Sequence, residues 1–211
     1  MTKVNFTVDV MKEYKIARIK GIAPDWPNIH SLNIDSYILV PDPGISAKAQ
    51  ICYDNDALYV RLTAKEKNIL KRYTGLLDPV ANDSCLEFFF CPIWGDDRYF
   101  NFEFNPLGAM YIGFGHGMHD LVRQVPQNGK SLFGVVTFDV PDGWGISFRI
   151  PYSFIRMYFP AFAPKSGVKI RANCQKCGDE TEQPHYISWN PITNKTPTFH
   201  WPKDYGCMIF E

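Results

Sequence analysis

The residues of this chain that could do chemistry lie in three segments where polar side chains alternate with apolar ones. The polar members are Glu87, then Asn101, Glu103 and Asn105, and then Arg171, Asn173 and Gln175. If the three segments are neighbouring strands, these amide, carboxylate and guanidinium groups converge in one patch. Sugars suit such a patch, because each hydroxyl is both a donor and an acceptor and pairs well with fixed planar groups. The competing interpretation is the wet face of an antiparallel sheet.

Aromatic residues in loops are the second group of candidates. The segment TPTFHWPKDYG carries Phe199 and Trp201 beside two prolines, and Trp94 lies in the loop CPIWGDDRY. Core packing explains large aromatic residues in loops poorly, whereas a ring offers a flat apolar platform for the C–H face of a pyranose. Trp26, in APDWPNIH, is a further candidate, although it could instead close one end of the fold.

A cysteine pair and a histidine pair raise the question of a metal site. Cys174-x-x-Cys177 has half the ligands of a structural zinc site, and His185 or His200 could complete the set in space. The alternation of the segment favours instead a core strand that runs into a turn at Gly178.

His116 and His119 lie in the glycine-rich segment GFGHGMHD, and their spacing can ligate a metal. No HExxH helix pattern accompanies them, so a mobile hairpin tip is the favoured interpretation. A haem-holding sandwich is a further hypothesis, in which Met110 or one of these histidines ligates iron.

Acidic residues leave an enzyme as the alternative to a binding protein. Asp83, Glu87 or Glu103 would suit a glycosidase if two of their carboxyl groups lay about 5–10 Å apart across a pocket. Exposed carboxylates on strands are more often solvated, and the chain has no Gly-x-Ser-x-Gly elbow, kinase set or dinucleotide fingerprint. The leading hypothesis is therefore a non-catalytic protein.

Alternation with a period of two must position these residues, and it predicts strands joined by short turns. One hairpin turns at Asp54-Asn55-Asp56, another at Pro141-Asp142-Gly143, and Asn105-Pro106-Leu107-Gly108 is a further turn. Trp189, within YISW, is predicted to be a core residue. About ten such strands predict an all-β antiparallel β-sandwich, related to a jelly roll, as a single domain over residues 1–211. Short helical turns are predicted within IPYSFIRMYFPAF and EKNILKRYTGLL.

Composition excludes several classes of protein. The 22 basic residues balance 22 acidic ones, so the chain lacks the basic surplus of a nucleic-acid binder, and no apolar run is long enough to span a membrane. The 32 aromatic residues indicate a large core, and the six cysteines are predicted to be reduced and mostly buried. The start has no signal-peptide core, which predicts a cytoplasmic protein, or an extracellular one whose leader has been removed.

The order of motifs along the chain resembles the family 9 carbohydrate-binding modules and their stand-alone relatives. The resemblance runs from about residue 47 to the C-terminus. It is carried by the segments QICYDNDALYVRLTAKE, NDSCLEFFF, YFNFEFNPLG, GWGISFRIP, VKIRANCQ, ISWNP and FHWPKDYG. The resemblance implies a β-sandwich that binds a polysaccharide chain end or a small sugar, without catalysis, in a slot between two aromatic side chains.

Carried over residue by residue, the resemblance places one clamp aromatic on Phe199, where characterised members have Trp. It places polar contacts on Glu87 and Gln175, and an arginine of characterised members falls on Glu103. The second clamp tryptophan has no counterpart in Pro79-Val80-Ala81, and Trp94 or Trp201 is the candidate replacement. The missing clamp leaves a further alternative, a sandwich domain that has kept the fold and lost sugar binding. The predicted sugar site is therefore Glu87, Glu103, Gln175, Phe199 and Trp201.

Members of the family can also carry structural calcium, and no other cofactor is implied. Candidate calcium ligands are Asp54, Asp56, Asp96 and Asp97, which lie in loops of suitable composition.

Overall fold

Alternation along most of the chain produces fourteen β-strands within the residues that the computed structural model describes, which are 11–194, 196 and 198–211. The strands are β1 (Glu13–Arg18), β2 (Leu32–Ile34), β3 (Ser36–Tyr37), β4 (Ser46–Tyr53), β5 (Ala57–Lys65), β6 (Cys85–Cys91), β7 (Tyr99–Phe104), β8 (Met110–Gly115), β9 (Val122–Arg123), β10 (Val136–Val140), β11 (Gly143–Pro151), β12 (Lys169–Gly178), β13 (His185–Ser188) and β14 (Gly206–Phe210). The α-helices are α1 (Gly129–Leu132) and α2 (Tyr152–Arg156), and single 3-10 turns cover Trp26–Asn28, Val80–Asn82 and Pro202–Asp204. Residues 1–10, on which the expectation about a leader depends, lie outside the described residues.

The strands form two packed layers that share β1. The front sheet has the order β14-β12-β6-β7-β8-β9, and β13 pairs with both β12 and β3. The back sheet has the order β10-β11-β5-β4, with β2 beside β4. β1 pairs in parallel with β14 and with β4, and the other pairings are antiparallel. The all-β sandwich predicted from the sequence is confirmed.

Because side chains alternate along β7, Phe100, Phe102 and Phe104 lie together in the core between the two layers. Phe102 of β7 stacks on Phe148 of β11 with 5.8 Å between ring centroids, and Phe104 lies 4.5 Å from the same ring. Trp189 is buried in this core, as predicted. Because a strand's side chains alternate between faces, Glu87 of β6, Glu103 of β7 and Gln175 of β12 must point to the other side of the front sheet.

The two predicted helical segments have different outcomes. α2 forms within IPYSFIRMYFPAF, as predicted, but EKNILKRYTGLL contains no helix, so that prediction is wrong. The backbone N–H of Arg72 and that of Tyr73 donate to Asp83 Oδ2, over 2.6 and 3.0 Å. Leu70 and Ser84 exchange two further bonds. Bonds to residues distant in sequence therefore satisfy the N–H groups that a helix would have paired internally.

The six cysteines are free and buried, as predicted. None of the helices in the described part of the chain has the length and apolar character needed to cross a membrane.

Candidate functional site

The outer face of the front sheet carries a row of polar side chains that crosses five strands. Antiparallel register pairs Glu87 of β6 with Glu103 of β7 on one side and with Gln175 of β12 on the other. The row continues to Tyr111 on β8 and to Ser188 on β13. The three polar segments singled out in the sequence are therefore on neighbouring strands, as the patch required.

This outer face is not the wet face of a sheet, so the competing interpretation is wrong. Glu87 is 2% exposed and Glu103 is 7% exposed, while Gln175 is fully buried. A second apolar cluster packs on this face, and it includes Phe89, Tyr99, Phe199 and Tyr205. Tyr205, from the aromatic loop, is thus a packing residue.

Several buried polar atoms of this face have no hydrogen-bond partner among the described residues. They are Glu87 Oε2, Asn101 Oδ1 and both amide atoms of Gln175. Two bonds on this face involve the same side chains: Asn101 Nδ2 donates to Glu103 Oε1 over 2.6 Å, and Cys177 Sγ donates to Glu87 Oε1 over 2.8 Å. A buried unpaired polar group costs about 1–3 kcal/mol, so the concentration of such groups on one face of the sheet needs an explanation.

The pKa values of the two carboxyl groups of the row are shifted towards their protonated forms. Burial raises the pKa of Glu87 well above its usual value, and the neighbouring Glu103 raises it further. Burial also raises the pKa of Glu103, which the hydrogen bond from Asn101 opposes. A protonated carboxyl group both donates and accepts, as a sugar hydroxyl does.

A cleft of about 870 Å³ opens above Glu87 and Glu103, a size typical of small-molecule sites. We call it the front cleft. Its borders are Ile38 and Leu39 after β3, Ala81, the loop His116–Asp120, Cys177, Asp179, Tyr186, Asn194, Thr196 and Thr198–Trp201. No lysine or arginine is among the described residues that line it.

The aromatic loop, in the segment TPTFHWPKDYG, forms one wall of the front cleft and is held in place by two hydrogen bonds. The Tyr205 hydroxyl donates to the Phe199 carbonyl over 3.0 Å, and the Tyr99 hydroxyl lies 2.9 Å from His200 Nδ1. Burial lowers the pKa of His200 to about 4, so the neutral imidazole is favoured, and it shares a hydrogen bond with that hydroxyl. The first bond closes the loop on itself, and the second ties it to β7 of the front sheet.

The rings of this wall are exposed to different degrees. Trp201 is 37% exposed, whereas Phe199 is 9% exposed and meets Tyr186 edge to face, with 6.3 Å between centroids and 64° between planes. Phe199 and Tyr186 pack against each other, so they do not form the parallel slot that the resemblance implied. Trp201 presents the more accessible ring.

The loop between β8 and β9 forms another wall. The Asp120 carboxylate accepts the backbone N–H groups of His116 and Gly117 over 2.9 and 2.8 Å, and it lies 3.1 Å from His116 Nδ1. His116 and His119 thus border the cleft from a closed turn. Met110 lies in the core between the sheets, so it shares no site with them.

Other candidates from the sequence lie elsewhere or have structural partners. Trp94 is outside the cleft, with the Lys169 ammonium 5.9 Å from its ring centroid, and Trp26 lies near Arg61 of the back sheet. Asp83 accepts bonds from Arg72, Tyr73 and Asn105, which occupies both of its oxygens.

The remaining polar members of the three segments also have structural roles. Asn105 closes its own turn and Asn173 bonds to Asn190, while Arg171 pairs with Asp97 over 2.6 Å. Among the proposed calcium ligands, Asp96 is paired with Arg98 and Asp54 accepts N–H groups of its own loop.

The Cys174-x-x-Cys177 motif is divided between the faces of β12. Cys174 lies in the core between the sheets, whereas Cys177 borders the front cleft and is in register with Cys85 on β6. The motif is part of a buried strand, as predicted. Its pattern gave no signal for the pairing with Cys85, since that depends on the register of two distant strands.

Comparison with known proteins agrees with this architecture. A sequence model described as carbohydrate-binding family 9 matches residues 18–210. A solved protein from Bacteroides uniformis, provisionally described as carbohydrate-binding, aligns at 24% identity and a TM-score of 0.77, over 96% of this chain and 100% of that one. No curated protein matches the chain.

A family 9 carbohydrate-binding module from Caldicellulosiruptor kristjanssonii, in complex with glucose, aligns at 14% identity and a TM-score of 0.67, over 95% of this chain and 96% of that one. A family 9 module from the same organism, in complex with cellotriose, aligns at 14% identity and a TM-score of 0.68, over 95% of this chain and 94% of that one. At such identities these structures show a shared fold, whereas the match over residues 18–210 shows the family. The chain belongs to carbohydrate-binding family 9.

Proposed function

We propose that this chain binds a neutral sugar or the end of an oligosaccharide in the front cleft, without catalysing a reaction. Membership of carbohydrate-binding family 9 supports the ligand class. Structural neighbours of the same family were solved in complex with glucose and cellotriose, which supports a glucose-type sugar as the first ligand to test.

The observation that carries the proposal is the polar row beneath a cleft bordered by an accessible tryptophan. Glu87 and Glu103 both border the cleft, and Glu87 Oε2 has no partner among the described residues. A sugar hydroxyl that reaches this oxygen completes its hydrogen bonding. Because an unpaired buried polar group costs about 1–3 kcal/mol, a sugar with a hydroxyl in the wrong orientation is discriminated against by a similar amount.

The residues of the proposed site have separate roles. Trp201 supplies the ring on which the apolar face of the sugar stacks, and Phe199 supports the wall beside it. Glu87 and Glu103 bond to hydroxyls. Gln175 lies next to Glu87 in the row but does not border the cleft, and its two free amide atoms can hold the Glu87 carboxyl group once a ligand turns it.

Replacement of Trp201 tests the stacking role, and Trp94→Ala provides a matched control because Trp94 is similarly exposed (49%) but lies outside the cleft. We expect Trp201→Ala to weaken binding of glucose or cellotriose about tenfold, which is about 1.4 kcal/mol. Trp94→Ala should leave affinity unchanged. Calorimetric titration measures both. An equal loss of affinity in the two variants would overturn the proposed site. Absence of sugar binding by the wild-type protein would overturn the proposed function.

Glycoside hydrolysis is the second candidate, and one observation favours it: Glu87 and Glu103 face each other on neighbouring strands at the floor of the cleft. Directly opposed residues have Cβ atoms about 4.5–5.5 Å apart, which is compatible with a carboxylate pair. Binding without turnover predicts that cellotriose is recovered intact after prolonged incubation. Release of shorter sugars that is abolished in Glu103→Gln would favour hydrolysis instead.

A further inference from the structure

Cys85, Glu87 and Cys177 form a compact group of metal-ligand atoms at the floor of the front cleft. Register places Cys85 directly opposite Cys177, and Glu87 follows two residues later on the same face of β6. The two Sγ atoms and one Glu87 oxygen all lie within 4.8 Å of one another. None of the three residues is more than 2% exposed. It is the one such group of three or more ligands within the described residues.

We propose that these three residues bind a thiophilic divalent metal ion, with zinc as the preferred ion. Two thiolates and a carboxylate are ligands that zinc accepts, whereas calcium and magnesium require oxygen ligands alone. On binding, the two thiols and the Glu87 carboxyl group, where it is protonated, lose their protons to solvent, and the resulting anions form the three bonds to the metal.

The placement of the group suits an open site rather than a closed structural one. The neighbouring strands β6 and β12 of the front sheet hold all three ligands, so the ligand side chains need little ordering when the ion binds. Cys177 and Glu87 border the front cleft, which gives the ion a path from solvent. Zinc sites with three protein ligands keep a fourth position for water or another small oxygen ligand, and the cleft side provides it.

Glu87 belongs to this group and to the proposed sugar site, but the two proposals are independent. Cys177 Sγ lies 2.8 Å from Glu87 Oε1, while Oε2 has no partner among the described residues. A monodentate bond to the metal leaves the second oxygen for the cleft. Metal binding is measured without sugar, so a failure of one proposal does not affect the test of the other.

Cobalt substitution tests the site directly. Protein purified under reductant and freed of metal with a chelator is titrated with Co²⁺, and the thiolate-to-cobalt charge-transfer and tetrahedral visible bands are recorded. We expect saturation at one equivalent and displacement by Zn²⁺. Cys85→Ala and Cys177→Ala should each weaken Co²⁺ binding and lower the thiolate bands to the intensity of at most one sulfur ligand. Glu87→Gln should keep them and weaken affinity, since both thiolates remain.

Two further variants serve as matched controls because they also remove a buried cysteine. Cys91→Ala alters the same face of β6, and Cys174→Ala alters the other half of the CxxC motif. Both should bind as the wild type does. The proposal is overturned if the wild type gives no thiolate bands, if the bands of Cys85→Ala are as intense as those of the wild type, or if they disappear in Cys174→Ala.

X-ray absorption at the zinc edge of the wild-type protein keeps the proposal falsifiable if a cysteine variant does not fold. Two sulfur neighbours at about 2.3 Å are expected. A shell of nitrogen and oxygen alone would overturn the proposal, as would a Cys85–Cys177 disulfide in protein kept under reductant, because an oxidised pair cannot ligate the ion.

Discussion

Single residues give the front cleft a lining with carboxyl groups but without lysine or arginine among the described residues, which favours one class of sugar. Glu87, Glu103, Asp120 and Asp179 border it, together with three histidines, and the described lining residues include no lysine or arginine. Hydroxyl groups need no compensating charge in such a site. A carboxylate on the sugar would lose water without gaining a cationic partner, which is costly.

We therefore expect glucose to bind more tightly than glucuronate at neutral pH, by about tenfold or more, or about 1.4 kcal/mol. Competition calorimetry with a chelator present measures the difference, and the chelator prevents a bound metal ion from pairing with the carboxylate. Equal or tighter binding of glucuronate would show that the sugar occupies a different surface.

The single residue His200 makes the folding stability of the protein depend on pH. Burial lowers its pKa from 6.5 to about 4, so the unfolded chain binds more protons than the folded one between these values. The stability due to neutral His200 is complete above pH 6.5 and is lost as the pH falls towards 4. The unfolding free energy of the wild type should fall as the pH decreases from 6.5 to 4. We expect this fall to be smaller by about 1–3 kcal/mol in His200→Gln. Urea denaturation at several pH values measures it. Identical pH profiles for the two proteins would contradict the neutral imidazole.

At the scale of elements, Gly113 on β8 leaves the space that the Asn101 side chain of β7 occupies. A Cβ atom there would overlap Asn101 Oδ1, whose side chain also donates to Glu103. We expect Gly113→Ala to displace Asn101, lower the unfolding free energy by about 1–3 kcal/mol and weaken sugar binding.

Gly21→Ala is the control for this prediction, since a Cβ atom at Gly21 would meet a single atom at 3.9 Å. Thermal unfolding of the two variants compares their stability. A melting temperature for Gly113→Ala equal to that of Gly21→Ala would show that the Asn101 side chain has room to move.

Elements with strict alternation could be predicted from the sequence, and so could the faces of their side chains. Phe102 and Glu103 point to opposite sides of β7, as expected, and β4 and β5 turn at the predicted Asx-rich segment. The segment 66–77 was predicted wrongly, because its backbone bonds to Asp83 and Ser84, and no local pattern contains that information.

At the scale of the whole molecule, the site depends on what two loops add to the front sheet. From the sequence, convergence of Glu87, Glu103 and Gln175 depended on their strands being neighbours, and the register shows that they are. The sequence did not predict that Tyr205 and its neighbours would pack on that face. Burial of the row and the pairing of Cys85 with Cys177 arise from packing between distant segments, so they could be read only from the folded chain.

A crystal structure with cellotriose, or with whichever sugar binds most tightly, tests the central claim most directly. The account predicts one sugar ring in the front cleft, stacked on Trp201, with a hydroxyl oxygen within about 3.2 Å of a Glu87 or Glu103 carboxyl oxygen. A sugar bound elsewhere, such as on Trp94, or a front cleft without sugar at concentrations that saturate the titration, would contradict it.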